Sequence, residues 1–137
     1  MSFIMERVRT VVAYRNYFKE FLLEQTPKVQ DKIFKIIEII EFQERIPSKY
    51  LKQIKGAQGL YEARISFSSD IWRVFCFFDK DRLVILLNGF QKKTQKTPKS
   101  EIERAEKLMN EYFYKKEDRY ETEWYDHLGR IEGWCIW

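Results

Sequence analysis

Residues 61–87 hold three β-type runs joined by tight polar turns, which commits the middle of the chain to an antiparallel meander. Tyr61 to Phe67 alternates, with Tyr61, Ala63, Ile65 and Phe67 on one side and Glu62, Arg64 and Ser66 on the other. Ser68-Ser69-Asp70 makes a turn. Ile71 to Phe78 is almost wholly apolar, as a central strand covered on much of both faces would be. Asp79 to Arg82 is a hairpin tip, and Leu83 to Leu87 is the third strand. Upstream, Val8 to Tyr14 reads as a first strand, and Asn16 as the N-cap of a short helix through Phe18 and Leu22. Thr26-Pro27 starts a second helix, with Val29, Ile33, Ile36, Ile37 and Ile40 as its buried stripe. Residues 45–59 connect, with one helical turn expected around Tyr50-Leu51-Lys52. Ser100 and Glu103 form a capping box for a closing helix carrying Ile102, Ala105, Met109, Tyr112 and Phe113. The expected order is β-α-α-β-β-β-α. That is an α+β domain, a small antiparallel sheet with helices packed on one face.

At 137 residues, 45% of them hydrophobic, the chain has material for one core. No apolar run is long enough to span a membrane. Met1 to Arg7 lacks the layout of a secretory signal, so a cytoplasmic protein is expected. The lone histidine, His127, and the distant Cys76 and Cys135 give neither a metal-ligand spacing nor a nucleophile–histidine pair. No metal and no cofactor is expected.

Charge is distributed unevenly beneath a net of +4. Residues 117–137 hold six acids and two bases, leaving 23 bases and 15 acids in residues 1–116. The two parts divide into a domain over 1–116 and an acidic, aromatic C-terminal extension over 117–137. The extension fits either a segment folded back over a basic face or an appendage. Two stretches of the domain are free of acids: Arg45 to Lys55, with Lys49 and Lys52, and Arg82 to Lys99, with Lys92, Lys93 and Lys96. Such a body attracts something anionic.

Arg73 is the anomaly within the apolar strand. An unpaired guanidinium is costly to bury. Either it sits at an edge or pairs with Glu62 or Asp70, or it lies on the floor of a site on an uncovered sheet face, where it meets a phosphate bidentately. Arg64 would converge with it if the register puts both on one face, with Lys92 and Lys93 at the rim.

The segments Gly59-Leu60-Tyr61-Glu62-Ala63-Arg64, Ile71-Trp72-Arg73-Val74-Phe75 and Val84 to Pro98, with its GF-x-KKTQKTP run, resemble the phage-related HigB-type toxins of the RelE/ParE superfamily. The resemblance spans roughly residues 7 to 114. It implies the toxin of a type II toxin–antitoxin system, a metal-independent endoribonuclease that cuts mRNA, commonly on the ribosome. The RNA's own 2′-hydroxyl attacks the phosphodiester and translation stops. By resemblance Arg73 stabilises transition-state charge and Arg64 matches a basic position on the preceding strand. Glu62 stands where RelE carries lysine, so either Glu62 is the base or a connecting-loop lysine such as Lys49 or Lys52 contributes. Lys92 and Lys93 fall near a cationic or acid position, and Asn88 occupies one that is often histidine. Lys49, Lys52, Lys55, Lys93 and Lys96 are the expected RNA contacts. The implied partner is an antitoxin from a neighbouring gene, of helix-turn-helix type. A ParE-like toxin that binds DNA gyrase without cutting RNA is the alternative on the same scaffold.

Overall fold

The computed structural model describes residues 6–117. Its elements are β1 (Thr10–Ala13), α1 (Tyr17–Leu23), α2 (Pro27–Phe42), β2 (Leu51–Gln53), β3 (Tyr61–Phe67), β4 (Asp70–Phe78), β5 (Leu83–Lys92) and α3 (Lys99–Glu117). The strands form one five-stranded mixed sheet in the order β1-β5-β4-β3-β2. The meander β3-β4-β5 is antiparallel throughout, as its short turns require, and the α+β class holds. No helix among the described residues is long and apolar enough to cross a membrane. The extension beyond residue 117, with His127 and Cys135, lies outside the described residues.

Four expectations change. The sheet is not wholly antiparallel, because β5, following the hairpin, lies parallel beside the N-terminal strand β1, Val12 opposite Ile85. Leu51 to Gln53 is a strand rather than a helical turn: it pairs antiparallel with β3, and Leu51 is buried beneath α2. The helices do not share one face. Helices α1 and α2 pack on the face that holds Val11, Ala63, Ile65, Trp72, Val74 and Leu86. Helix α3 lays Ala105, Leu108 and Tyr112 on the opposite face, against Val12, Phe75, Phe77, Ile85 and Leu87. Strands β4 and β5 carry apolar residues in both phases, so both faces of the sheet have to be covered there. Helix α3 also starts at Lys99, which places Ser100 inside its first turn rather than at the cap.

Local chemistry explains the anchoring. Thr26 accepts the amide of Val29 through Oγ1 at 3.4 Å, capping α2 with Pro27 at its first position. The Arg9 guanidinium donates to the carbonyls of Ile40, Gln43 and Glu44 at 2.7–3.0 Å and closes the same helix at its C-terminus. Tyr112 and Lys116 both donate to Asp79 Oδ2, at 2.5 and 2.7 Å, pinning the far end of α3 to the β4–β5 hairpin. Cys76 lies in the core, where burial pushes its thiol up to about 12 and leaves it inert.

The ladder between β4 and β5 slips by one residue: Val74 faces Gly89 and Cys76 faces Leu86, so Leu87 and Asn88 together oppose Phe75. Gly89 follows this bulge directly. A Cβ there would meet the Phe21 ring of α1 at 2.6–2.8 Å, so only glycine lets α1 seat on the sheet. Gly89→Ala is expected to lower unfolding stability by about 1–3 kcal/mol. Urea denaturation checks this, and a loss under 0.5 kcal/mol, roughly what a surface substitution costs, would mean that Phe21 yields freely.

Candidate functional site

The register sorts the charged residues of the sheet into rows on the α3 face. Lys52, Glu62 and Phe75 form one row across β2, β3 and β4. Arg64, Arg73 and Phe90 form the next, across β3, β4 and β5. Ser66, Ile71 and Lys92 form the third. Helix α3 covers the apolar part of this face, from Phe75 toward Phe77 and Ile85. The polar part lies beyond the N-terminal turn of that helix.

Two arginines directly opposite each other across a strand pair repel one another. One carboxylate offsets this: Glu62 Oε2 stands 3.4 Å from Arg64 Nε and 3.5 Å from Arg73 Nε. Its other oxygen accepts from Thr97 Oγ1 at 3.5 Å, so the segment between β5 and α3 folds back onto the sheet at this point. Arg73 is only 4% exposed and Glu62 7%. Arg73 does not lie on an open floor; it lies beneath its neighbours, paired to Glu62, one of the partners its sequence context offered. The pairing is incomplete. Arg73 donates from Nη1 to the Trp72 carbonyl at 3.2 Å, while its Nε has no hydrogen-bond partner among the described residues. Burial pushes the Arg73 guanidinium below its ordinary pKa, Glu62 pulls it back up and Arg64 pushes it down again.

Lys92 ends β5 on the same face, so it belongs to the strand and not to the loop after it. Its amine is held below the usual lysine range, first by burial and then by the charge of Arg73, with Glu62 acting in the opposite sense. Lys52 is exposed and stands across from Glu62. The other expected contacts are farther out. Lys93 and Lys96 are exposed beyond β5, in a turn closed by Thr94 Oγ1 donating to the Lys96 carbonyl at 2.7 Å. Lys55 lines an open depression of about 640 Å³ in the β2–β3 loop with Lys52 and Gly56. Lys49 sits over the Tyr50 ring at 4.9 Å, before β2 begins.

Thr97 and Glu101 enter through contacts for which the sequence carries no signal, and Asn88, marked in the sequence only by resemblance, gains its partner from the fold. The bulge turns Asn88 toward α3, where its Nδ2 donates to Glu101 Oε1 at 3.2 Å and its Oδ1 is buried without a partner among the described residues. Each depends on a contact between distant segments, which periodicity cannot display. The cluster can hold an oxyanion by hydrogen bonds from two guanidiniums and supply a proton from the ammonium of Lys92, whose pKa is lowered.

The profile of the family described as "Phage derived protein Gp49-like" matches residues 20–110, about two thirds of the chain and the whole of this cluster. The chain belongs to the Gp49-like family. This Gp49-like membership bears out the RelE-type toxin superfamily expected from the motifs, without reaching the finer HigB-type assignment. Among solved structures, the archaeal RelE–RelB complex from Pyrococcus horikoshii OT3 is similar, with a TM-score of 0.47, 15% identity, and coverage of 61% of this chain and 94% of that one. No curated protein matches.

Because Glu62 is the group that holds the Lys92 amine up, Glu62→Gln is expected to lower the Lys92 pKa further. A nitrogen-edited NMR titration of the lysine side chain reads this. An unchanged or raised value would separate Lys92 from the arginine cluster.

Proposed function

We propose that this Gp49-like protein is the toxin of a type II toxin–antitoxin pair and acts as an endoribonuclease on mRNA in the cytoplasm, at the ribosome, in the manner of the HigB-type toxins. The observation that carries the reading is the pair of arginines held face to face on the sheet by a single carboxylate, with Lys92 beside them. Two cross-strand arginines are unfavourable for folding, and their use is in binding phosphate oxygen. Arg64 and Arg73 take the charge that develops on phosphorus when the 2′-hydroxyl attacks. Lys92, with its lowered pKa, gives a proton to the departing 5′-oxygen. Glu62 and Lys52, facing each other across β2 and β3, are the groups left to accept the 2′-hydroxyl proton. Lys93, Lys96, Lys55 and Lys49 surround this centre at the surface and contact neighbouring phosphates. The excess of 23 bases over 15 acids in residues 1–116 suits an acidic antitoxin, of helix-turn-helix type, covering the same face.

Arg73→Ala is expected to abolish growth inhibition in cells lacking antitoxin and to lower the rate of mRNA cleavage about 10²–10³-fold. Circular dichroism confirms folding. Full toxicity from the folded variant would sink the site. Cleavage in a translating extract, run beside gyrase supercoiling, tests the activity itself: inhibited supercoiling with intact mRNA would replace the nuclease with a gyrase inhibitor.

Replacing Lys92 and Lys93 together with Gln is expected to weaken RNA binding about equally for all sequences. It should also reduce the salt dependence by roughly two phosphate contacts. Binding measured at several salt concentrations decides it; a loss confined to certain sequences would mean that these lysines read bases.

A further inference from the structure

We propose that Glu62 is an internal anion that occupies the phosphate position of the arginine pair in the empty protein, and that substrate phosphate displaces it toward Lys52. The inference rests on the phosphate-binding reading of the cluster and names what regulates entry to it.

Geometry makes the case. A single carboxylate oxygen, Glu62 Oε2, lies at nearly equal distance from the Nε atoms of Arg64 and Arg73, 3.4 and 3.5 Å. That is where an oxygen bridging two guanidiniums belongs, and a phosphate would place one there with better hydrogen bonds. Glu62 fills the position poorly. The Arg73 Nε has no hydrogen-bond partner among the described residues although the side chain is 95% buried. A buried donor left unmade is a standing cost, and a phosphate reaching both guanidiniums would remove it.

The carboxylate also has somewhere to go. Lys52 is its direct cross-strand neighbour on the same face, exposed, and it forms no ion pair with Glu62 in this structure. Directly opposed side chains on an antiparallel pair lie within reach of one another. Moving from the arginines to Lys52 keeps Glu62 paired while its former place passes to the ligand. Thr97, donating to the other carboxylate oxygen at 3.5 Å, holds Glu62 in the resting position and brings the segment after β5 over it. Displacing Glu62 therefore releases that cover as well. Because it is tethered, Glu62 competes at an effective concentration of order millimolar or above. Weak free anions are kept out, while a strand with several phosphates, held at the surrounding lysines, wins the exchange.

The test uses inorganic phosphate and an RNA oligonucleotide methylated at every 2′-oxygen, which binds without being cut. Affinities for wild type, Glu62→Gln, Lys52→Gln and the double variant come from calorimetry, with the phosphate-dependent thermal shift as a second measurement. Glu62→Gln is expected to bind phosphate about tenfold more tightly, as loss of a charged competitor should allow. Lys52→Gln should weaken binding in the wild type and leave Glu62→Gln unchanged. Equal or weaker phosphate binding by Glu62→Gln would make Glu62 a plain counter-ion and overturn the proposal. An equal loss from Lys52→Gln in both backgrounds would mean that Lys52 touches the ligand directly, and would overturn it too. Should Glu62→Gln fail to fold, Thr97→Val gives the same reading: a two- to threefold gain in affinity is expected, and no gain counts against the exchange. A chain that cuts no mRNA yet shows this pattern keeps the exchange and loses the nuclease. One that cuts mRNA without the pattern loses the exchange alone.

Discussion

The contact between one carboxylate and two opposed guanidiniums is the constraint around which this face of the sheet is arranged. Arg64 and Arg73 are cross-strand partners, so the ladder that builds the meander also forces two like charges together. Nothing about folding asks for this; an apolar pair would pack the position better. With Glu62 between them the arrangement is tolerable, and with Glu62 alone it is unsaturated. The rest of the architecture contains the consequence. Helix α3, tied down at Asp79 by Tyr112 and Lys116, covers the apolar half of the face and stops short of the charges.

The bulge in β5 links that face to the opposite one. Gly89 admits the Phe21 ring on the α1 side, while the slipped register behind it sets Phe90 across from Arg73 and Lys92 across from Ile71. A regular ladder would carry each β5 side chain one position along and reverse its face. The lysine would then leave the arginines. The seat of α1 and the placement of Lys92 are thus two results of one extra residue, so core packing and site geometry are coupled through the backbone.

Much of this was legible in the residues, for reasons that differ by element. The alternation of Tyr61 to Phe67 assigned Glu62 and Arg64 to the face where they stand, because a period of two leaves no freedom once one side is core. The isoleucine stripe did the same for α2. Arg73 was legible as an anomaly, but its partner was not singled out: Glu62 and Asp70 are both within reach on paper, and only the register chooses. The position of α3 was misjudged although the sign was present. Ile71 to Phe78 is apolar in both phases, and a strand of that kind requires cover on each side. Strand β2 has three residues and owes its conformation to pairing with β3, not to its own propensity. Asn88, Thr97 and Glu101 meet only through the folded chain.

Charge balance gives the cluster its chemical sense on the proposed reading. A phosphodiester carries one negative charge, and a single guanidinium would suffice to bind it. Attack by the 2′-oxygen adds a second charge at phosphorus while the leaving oxygen needs a proton. If Glu62 pairs with Lys52 across the strand, Arg64, Arg73 and Lys92 remain facing the reacting group. Two guanidiniums then meet the two charges of the transition state, and the amine whose pKa is already lowered supplies the proton. In the ground state one of those guanidiniums is surplus. An interaction that becomes fully useful only as charge develops lowers the barrier instead of merely tightening binding. The repulsion between Arg64 and Arg73, a defect in the empty protein, is relieved most completely at the point where the reaction is hardest.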